Sequence, residues 1–358
     1  MILPRNKTKV IKVGNVLIGG KNPIVIQSMA KFKTSDVEKT ARQIKGLQDA
    51  GCEIIRVAVK DSADAQAIKK LKRAIKIPIV ADIHFHWKLA IECIENGADK
   101  IRLNPGNIQK DEEIKQVVSA LKHARIPLRI GLNSGSVRGA GSRKTSMPDK
   151  LVESAFDYIK RIEKLKFYNL VISLKANNVR DTVEAYRKIA KQCDYPLHLG
   201  VTATGSPAKG VIKSSIAIGA LLLDGIGDTI RVSLTEPPVK EVEAARCILE
   251  AVGVRQFGPD IISCPTCGRC EVDLSEIVKE LEKSLLMTGD RRPATGKPIK
   301  VAVMGCVVNG PGEAAEADIG VAFGKKEGML FKKGKPAGKV SFKDCAKILL
   351  KEMEKMHD

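Results

Sequence analysis

Ile24-Val25-Ile26-Gln27-Ser28-Met29, a Lys/Glu-bearing amphipathic segment over 36–50, Gly51, and then Glu53-Ile54-Ile55-Arg56-Val57-Ala58-Val59 decide the fold. The first and last pieces are strand-length runs of aliphatic residues, as expected of parallel strands buried on both faces. The middle piece has helical length, with Ser35 or Asp36 as its cap and Gly51 as its stop. The same unit recurs along the chain. Strand-like runs fall at 24–29, 53–59, 77–83, 100–104, 128–133, 171–176, 197–202 and 229–234, and a helix candidate follows each. Eight such units in about 230 residues predict an α/β fold of the (β/α)8 TIM-like barrel type, for which ~250 residues is usual. A doubly wound sheet is the alternative, but it usually has fewer strands. Residues 9–19 alternate around Gly14 and Asn15, a short hairpin signal. The rhythm stops at Gly258-Pro259, which divides the chain into a barrel over 1–258 and a small α+β domain over 259–358. In the second part, 272–287 and 342–356 read as helices, and 299–304, 317–323 and 329–332 read as strands.

The 358 residues are 44% hydrophobic and only 4% aromatic, so the core is aliphatic. Sixty-one basic against 41 acidic residues give a net charge of +20. The basic residues are spread without aromatic interleaving, and clusters such as Lys325-Lys326 and Lys332-Lys333 are short. This pattern reads as a solvated basic surface and not as a nucleic-acid interface. The excess favours an anionic substrate and an acidic protein partner. Nine cysteines without a secretory signal favour a reducing compartment over a disulfide framework. The longest apolar stretch, 216–223, is far below the ~20 residues that span a bilayer. A soluble, cytoplasmic protein with no membrane partner is expected.

Barrel enzymes carry their chemistry at the C-terminal ends of the strands, and here those ends are cationic. Arg56, Arg102, Arg129, Lys175 and Arg231 come from five different strands. The two-residue period places Asn133 on the face of Arg129 and Ser233 on that of Arg231. Burying five unpartnered cations is costly, which predicts a polyanionic ligand, with a diphosphate the natural match to guanidinium forks. The opposing reading gives each arginine a neighbouring carboxylate. Asp82 and His84, at the end of a buried run, form an acid/base or orienting pair or part of a metal site; hydrogen-bonding roles are favoured, since no third ligand is evident. His198 reads as a core histidine. Gly131, Gly135, Gly139 and Gly141 allow a close backbone approach to phosphate. There is no Walker A sequence, and no dinucleotide fingerprint in its strand–turn–helix context.

The second part carries Cys264-Pro265-Thr266-Cys267, then Cys270, and later Gly305-Cys306-Val307-Val308-Asn309-Gly310-Pro311-Gly312-Glu313. A C-x-x-C turn brings two thiolates to one centre, and a distant third can complete three corners of a tetrahedral site. Structural zinc wants a closed Cys/His set, yet the later segment offers only Cys306, and His357 is the single histidine after residue 200. Three thiolates plus a weaker ligand suit an iron–sulfur cluster that keeps one iron reactive. Cys270 makes a C-x2-C-x2-C run, but no Cys-Pro pair follows as in ferredoxins. Cys52, Cys93, Cys193, Cys247 and Cys345 read as small buried hydrophobes.

Cys264 to Arg269 and Gly305 to Ala314, together with Val80-Ala81-Asp82-Ile83-His84-Phe85, Arg102-Leu103-Asn104-Pro105-Gly106-Asn107, Arg129 to Asn133 and Gly225 to Leu234, occur in collinear order. The whole pattern resembles the bacterial 4-hydroxy-3-methylbut-2-enyl diphosphate synthase family of the methylerythritol phosphate isoprenoid pathway. The resemblance implies a barrel followed by a cluster domain, and a homodimer. The implied reaction is reductive ring opening of 2-C-methyl-D-erythritol 2,4-cyclodiphosphate with loss of water, using two electrons from flavodoxin or ferredoxin. It implies a 4Fe-4S cluster held by Cys264, Cys267, Cys306 and Glu313, leaving Cys270 outside the ligand set. Glu313, Asp82 and His84 then become the catalytic candidates. Arg56, Arg102, Arg129, Asn133, Lys175, Thr202, Arg231 and Ser233 become the substrate-binding ones. The chain departs from the family at Thr202-Ala203-Thr204-Gly205, where the family usually reads Thr-Glu-Ala-Gly, and at Asn177-Asn178, where Ser-Asp is frequent. Ala203 therefore stands in place of a glutamate that contacts substrate and handles a proton.

Overall fold

The structure, a computed structural model, describes residues 3–137, 145–202, 205–288 and 298–356, without the side chains of 285–288. It falls into two compact units, Met1–Arg255 and Gln256–Asp358.

A short antiparallel hairpin, β1 (Ile11–Val13) and β2 (Val16–Ile18), opens the first unit. Eight parallel strands follow: β3 (Val25–Met29), β4 (Ile54–Val59), β5 (Ile79–Ile83), β6 (Lys100–Leu103), β7 (Leu128–Asn133), β8 (Leu170–Lys175), β9 (His198–Leu199) and β10 (Thr229–Ile230). They are ordered β8-β7-β6-β5-β4-β3-β10-β9, and a parallel bridge between Ile172 and Leu197 joins the two ends of the sheet. This is the expected barrel. Helices α1 (Val37–Asp49), α2 (Ser62–Ala74), α3 (Trp87–Glu95), α4 (Asp111–Ala124), α5 (Met147–Lys164), α6 (Val179–Ala190), α7 (Pro207–Leu223) and α8 (Pro238–Val252) follow the strands in turn. The Asp36 side chain caps α1 by accepting from the Lys39 amide, and Gly51, at φ +102°, supplies the left-handed stop.

The last two barrel strands are shorter than the runs at 197–202 and 229–234 suggested. The chain leaves the ladder after Leu199 and Ile230, and only single bonds continue it, from the Thr202 amide to Ala176 O (3.1 Å) and from the Arg231 amide to Leu199 O (3.0 Å). These departures lie where Thr202, Arg231 and Ser233 leave the strands.

The hairpin fixes which end of the barrel receives a ligand. Its Ile11, Val13 and Ile18 form a buried cluster with Val25, Ile54, Val80 and Val171, from the beginnings of β3, β4, β5 and β8. Full burial of each such side chain stabilises by roughly 1.5–3 kcal/mol. An apolar plug thus seals the N-terminal end, and a polar ligand must enter from the C-terminal end.

The second unit holds a five-stranded sheet ordered β11 (Asp260–Ser263), β12 (Lys300–Met304), β13 (Ile319–Phe323), β14 (Gly328–Lys332) and β15 (Lys335–Val340). The first three strands are parallel and the remaining pairings antiparallel. Side chains alternate between two faces. Val301 and Val303 pack with helices α9 (Leu274–Thr288) and α11 (Cys345–Glu354), whereas Ala302 and Met304 pack with Ala314 on the short helix α10 (Gly310–Glu316). Three elements went unread in the sequence. β11 and β15 are edge strands whose exposed residues lack apolar alternation, and Pro336 is tolerated because β15 is an edge. The seven residues of α10 begin Gly-Pro-Gly and lack a helical signature.

The spare cysteines divide. Cys52, Cys93 and Cys345 are buried as read, but Cys193 is half-buried and Cys247 exposed, on the outer face of α8. No helix among the described residues is long and apolar enough to cross a membrane.

Candidate functional site

Parallel pairing places Asp82 beside Arg102 and Arg102 beside Arg129, so three charged side chains from β5, β6 and β7 share one face and one level. Asp82 Oδ1 accepts from Arg102 Nη1 at 3.0 Å, and its Oδ2 lies 3.6 Å from Arg56 Nε. Arg102 Nη2 also donates to Gly131 O at 2.7 Å. A Cβ on Gly131 would sit 2.5 Å from Arg102 Nε, so this glycine makes room for a guanidinium and not for phosphate as expected. Gly135 is exposed; Gly139 and Gly141 lie outside the described residues. Arg56 rests against Met29, with Nη2 2.9 Å from Sδ. Arg231 Nη2 lies 3.2 Å from Glu241 Oε2, and Glu241 also meets Lys31 Nζ at 3.2 Å and the Leu234 amide at 3.1 Å.

The opposing reading, an acid for every arginine, therefore holds for Arg56, Arg102 and Arg231. It fails for Arg129, whose one side-chain bond goes to the neutral amide of Gln27 at 3.4 Å. It fails also for Lys100, a buried cation missed in the sequence, whose Nζ has no partner among the described residues. Asp82 thus serves Arg56, Arg102 and Arg129, and Glu241 serves Arg231, while the groups acting on Lys100 and Lys175 are arginines. Arg129 Nε, Arg102 Nε, Arg231 Nε, Gln27 Nε2 and His198 Nε2 are further buried donors or ring nitrogens without a partner. Lys100 lies two residues before Arg102 on the same strand face, so the two-residue period applied to Arg102 would have found it. Glu241 lies on a helix, where a strand-based reading does not look.

The excess positive charge shows in the titration of the groups. Burial, with Arg231, Arg56, Arg129 and Arg102 nearby, pulls the Lys175 ammonium well below its usual range. Burial and the neighbouring Arg56 and Arg102 do the same to Arg129. Lys100 is lowered by burial, Arg129 and Arg56. His198 is buried, with Nδ1 2.7 Å from Thr229 Oγ1, and burial plus Arg129, Lys175 and Lys100 hold it neutral. Burial alone would raise the Asp82 carboxyl, but Arg56, Arg102 and Arg129 override it and hold it at about 2. Asp82 therefore stays ionised near neutrality and orients two guanidinium groups. Its contribution to stability is present above its ordinary value of 3.8 and is lost as pH falls towards about 2. Replacing it by asparagine leaves buried cations uncompensated, and Asp82→Asn is expected to cost about 3–5 kcal/mol in urea unfolding. A loss below about 1 kcal/mol would show that the ion pairs are not formed.

A diphosphate entering this site would favour the charged forms of these ammonium groups.

The remaining candidates lie at strand ends. His84 is half-buried just past β5, two residues beyond Asp82. Thr202 and Ser233 are half-buried beyond β9 and β10. Asn133, half-buried at the end of β7, has its backbone amide and carbonyl bonded to Ser136 Oγ.

In the second unit, Cys264 follows β11, and its amide donates to Val303 O at 3.1 Å. Thr266 sits at φ +62°, in the left-handed region that lets the turn reverse between Cys264 and Cys267. Cys306 follows β12 and is buried, where the amides of Asn309 and Val308 lower its thiol value. The amide and side chain of Arg269 lower that of Cys267. The Arg269 side chain bonds Cys267, and Cys306 and Cys264 add to the raised value of its guanidinium. Glu313 lies exposed in the first turn of α10, past the Cys306 loop. Among the described residues no three His, Cys, Asp or Glu side chains are gathered tightly enough for a single metal ion. A cluster of several irons binds each thiolate on its own iron and asks for a wider set. Thiolate-favouring amides at Cys306 and Cys267 and a guanidinium bonded to Cys267 fit such a group.

Residues 8–246 match the family model described as GcpE TIM-barrel domain, and residues 260–355 match that described as GcpE protein C-terminal domain. A protein of Caldanaerobacter subterraneus subsp. tengcongensis, named 4-hydroxy-3-methylbut-2-en-1-yl diphosphate synthase (flavodoxin), is 54% identical and covers 99% of both chains. Proteins of the same name from Fusobacterium nucleatum subsp. nucleatum and Clostridium perfringens are 50% and 51% identical, covering 98% of this chain and 96% and 99% of theirs. Among solved structures, dihydropteroate synthase from Stenotrophomonas maltophilia superposes with a TM-score of 0.52 at 12% identity, over 70% of this chain and 100% of that one. The Xanthomonas albilineans enzyme gives 0.51 at 14% identity, over 68% and 98%. At such identities the likeness concerns the barrel fold alone.

Proposed function

The chain belongs to the GcpE family, and we propose that it converts 2-C-methyl-D-erythritol 2,4-cyclodiphosphate to 4-hydroxy-3-methylbut-2-enyl diphosphate. In that reaction a ring C–O bond breaks, water leaves, and two electrons and two protons are taken up. The observation that carries this reading is the barrel's surplus of buried cations over carboxylates, with donors left unpartnered. A diphosphate supplies the missing negative charge and acceptors.

Arg129, Lys175 and Lys100 neutralise the anion, while Asp82 holds Arg56 and Arg102 in place. Glu241 does the same for Arg231. Asn133, Thr202 and Ser233 offer polar atoms at the rim, and His84, beside the ionised Asp82, is positioned to manage a proton. Cys264, Cys267 and Cys306 would hold a 4Fe-4S cluster, with Glu313 as a fourth, more displaceable ligand. When bound there, the cluster supplies electrons one at a time. Flavodoxin is the donor that fits the relatives' names, with ferredoxin the alternative, and the working form is a homodimer in the cytoplasm.

The test is anaerobic reconstitution with iron and sulfide, followed by assay with the cyclic diphosphate and a chemical reductant. Consumption of two electrons per product is expected. A fully loaded protein that binds pyrophosphate but forms no product from the cyclic diphosphate would end this reading. Arg129→Ala is expected to weaken pyrophosphate binding by at least about tenfold while leaving iron content unchanged, given ~1.5–3 kcal/mol for a charged hydrogen bond.

A further inference from the structure

Gly305 immediately precedes Cys306, and its φ lies outside the left-handed region, so its backbone does not require glycine. A neighbouring side chain does. A Cβ built on Gly305 would fall inside the van der Waals surface of Cys270 Sγ and 3.0 Å from Leu274 Cδ1. Cys270 is itself tied down on three sides. Its thiol donates to Val272 O at 3.2 Å, its amide donates to Cys267 O at 2.9 Å, and its side chain packs against the aliphatic core of the second unit. The next amide, of Glu271, donates to Gly305 O at 2.9 Å. The Cys264–Cys267 turn and the end of β12 are therefore joined at two rungs, Cys264 to Val303 and Glu271 to Gly305, with the Cys270 sulfur packed beside the second.

We propose that Cys270 is a positioning residue for the cluster and not a ligand: its sulfur, seated against the bare Cα of Gly305, sets the spacing between the Cys267 turn and Cys306. The inference rests on the cluster reading above for its consequence, but the contact exists without it. A thiol anchored to Val272 O is held on the core side of the loop. Cys267, by contrast, is exposed.

The experiment is a double-mutant cycle on the full chain with Gly305→Ala, Cys270→Ala and both together, plus Cys270→Ser. Iron and sulfide per chain after reconstitution, and the rate of cluster loss to a chelator, are the readouts. Residues that support metal ligands typically change affinity by ~10–100-fold. Gly305→Ala is expected to speed cluster loss by at least about tenfold. Adding Cys270→Ala should recover most of that loss, because the clashing sulfur is gone and Leu274 alone must yield. Cys270→Ser keeps a donor to Val272 O and should hold iron as wild type does. Additive effects in the cycle, or iron loss in Cys270→Ser equal to that in Cys267→Ser, would overturn the proposal. Thermal unfolding of the same metal-free proteins reads the contact directly. Rescue of Gly305→Ala by Cys270→Ala is expected there too, and its absence would overturn the proposal. Wild type that takes up no iron would instead remove the cluster reading.

Discussion

Cys264→Ser, Cys267→Ser and Cys306→Ser are each expected to lose the stable cluster, whereas Cys270→Ser keeps it. Two of the three thiols have lowered values, held so by backbone amides and by the Arg269 guanidinium. A hydroxyl is neither ionised near neutrality nor soft enough to replace a thiolate on iron. Removing one of three thiolates leaves too few anchors, so iron per chain should fall to background and the electron paramagnetic resonance signal of the reduced protein should vanish. Because the cysteines lie in the second compact unit, pyrophosphate binding by the barrel should survive in all three variants. Glu313→Ala differs in kind. All three thiolates remain, so most of the iron should stay while turnover is lost. Loss of the cluster in Cys270→Ser alone, with the other three intact, would assign the ligands wrongly.

The barrel was legible because parallel strands buried on both faces leave unbroken aliphatic runs, and the 128–133 run coincides with β7. β9 and β10 were overread because a run of apolar residues persists where the hydrogen-bond ladder has already ended. Edge strands such as β15, Lys335-Pro336-Ala337-Gly338-Lys339-Val340, present solvent-facing chemistry and carry no core pattern. At the site, Arg102 and Arg129 stood out as cations on strands, but the two-residue period was not applied back from Arg102 to Lys100, which shares its face. Glu241 reaches the barrel from a helix, and no strand pattern announces it. Spacing alone marked Cys264, Cys267 and Cys306. The setting of Cys270 depends on Gly305, thirty-five positions away, and only the folded chain brings the two together.

Ala203→Glu is expected to raise kcat by roughly 10²–10⁴-fold with a smaller change in KM, the range of well-placed acid–base help. Ala203 lies outside the described residues, but the chain leading to it is fixed. A Cβ on Gly200 would sit 2.6 Å from Lys175 Nζ and 2.7 Å from Arg231 O, and the Thr202 amide donates to Ala176 O at 3.1 Å. Gly200 to Thr202 therefore run against the cationic wall of the barrel. A carboxylate at position 203, where the family pattern carries glutamate, could hold a substrate hydroxyl or handle a proton; a methyl group does neither. Binding should change less, because the cations that hold the anion are already present in the native chain. An interaction made mainly in the transition state moves kcat, and one made equally in the ground state moves KM. Glu241 is no substitute for the missing group, being buried and engaged with Arg231, Lys31 and the Leu234 amide. Glu236, just beyond β10 and exposed, is another carboxylate that follows a barrel strand. Steady-state kinetics of the native chain, Ala203→Glu and Glu236→Gln separate the cases. A fully active native chain that Ala203→Glu leaves unchanged and Glu236→Gln disables would move the proton-handling role to Glu236.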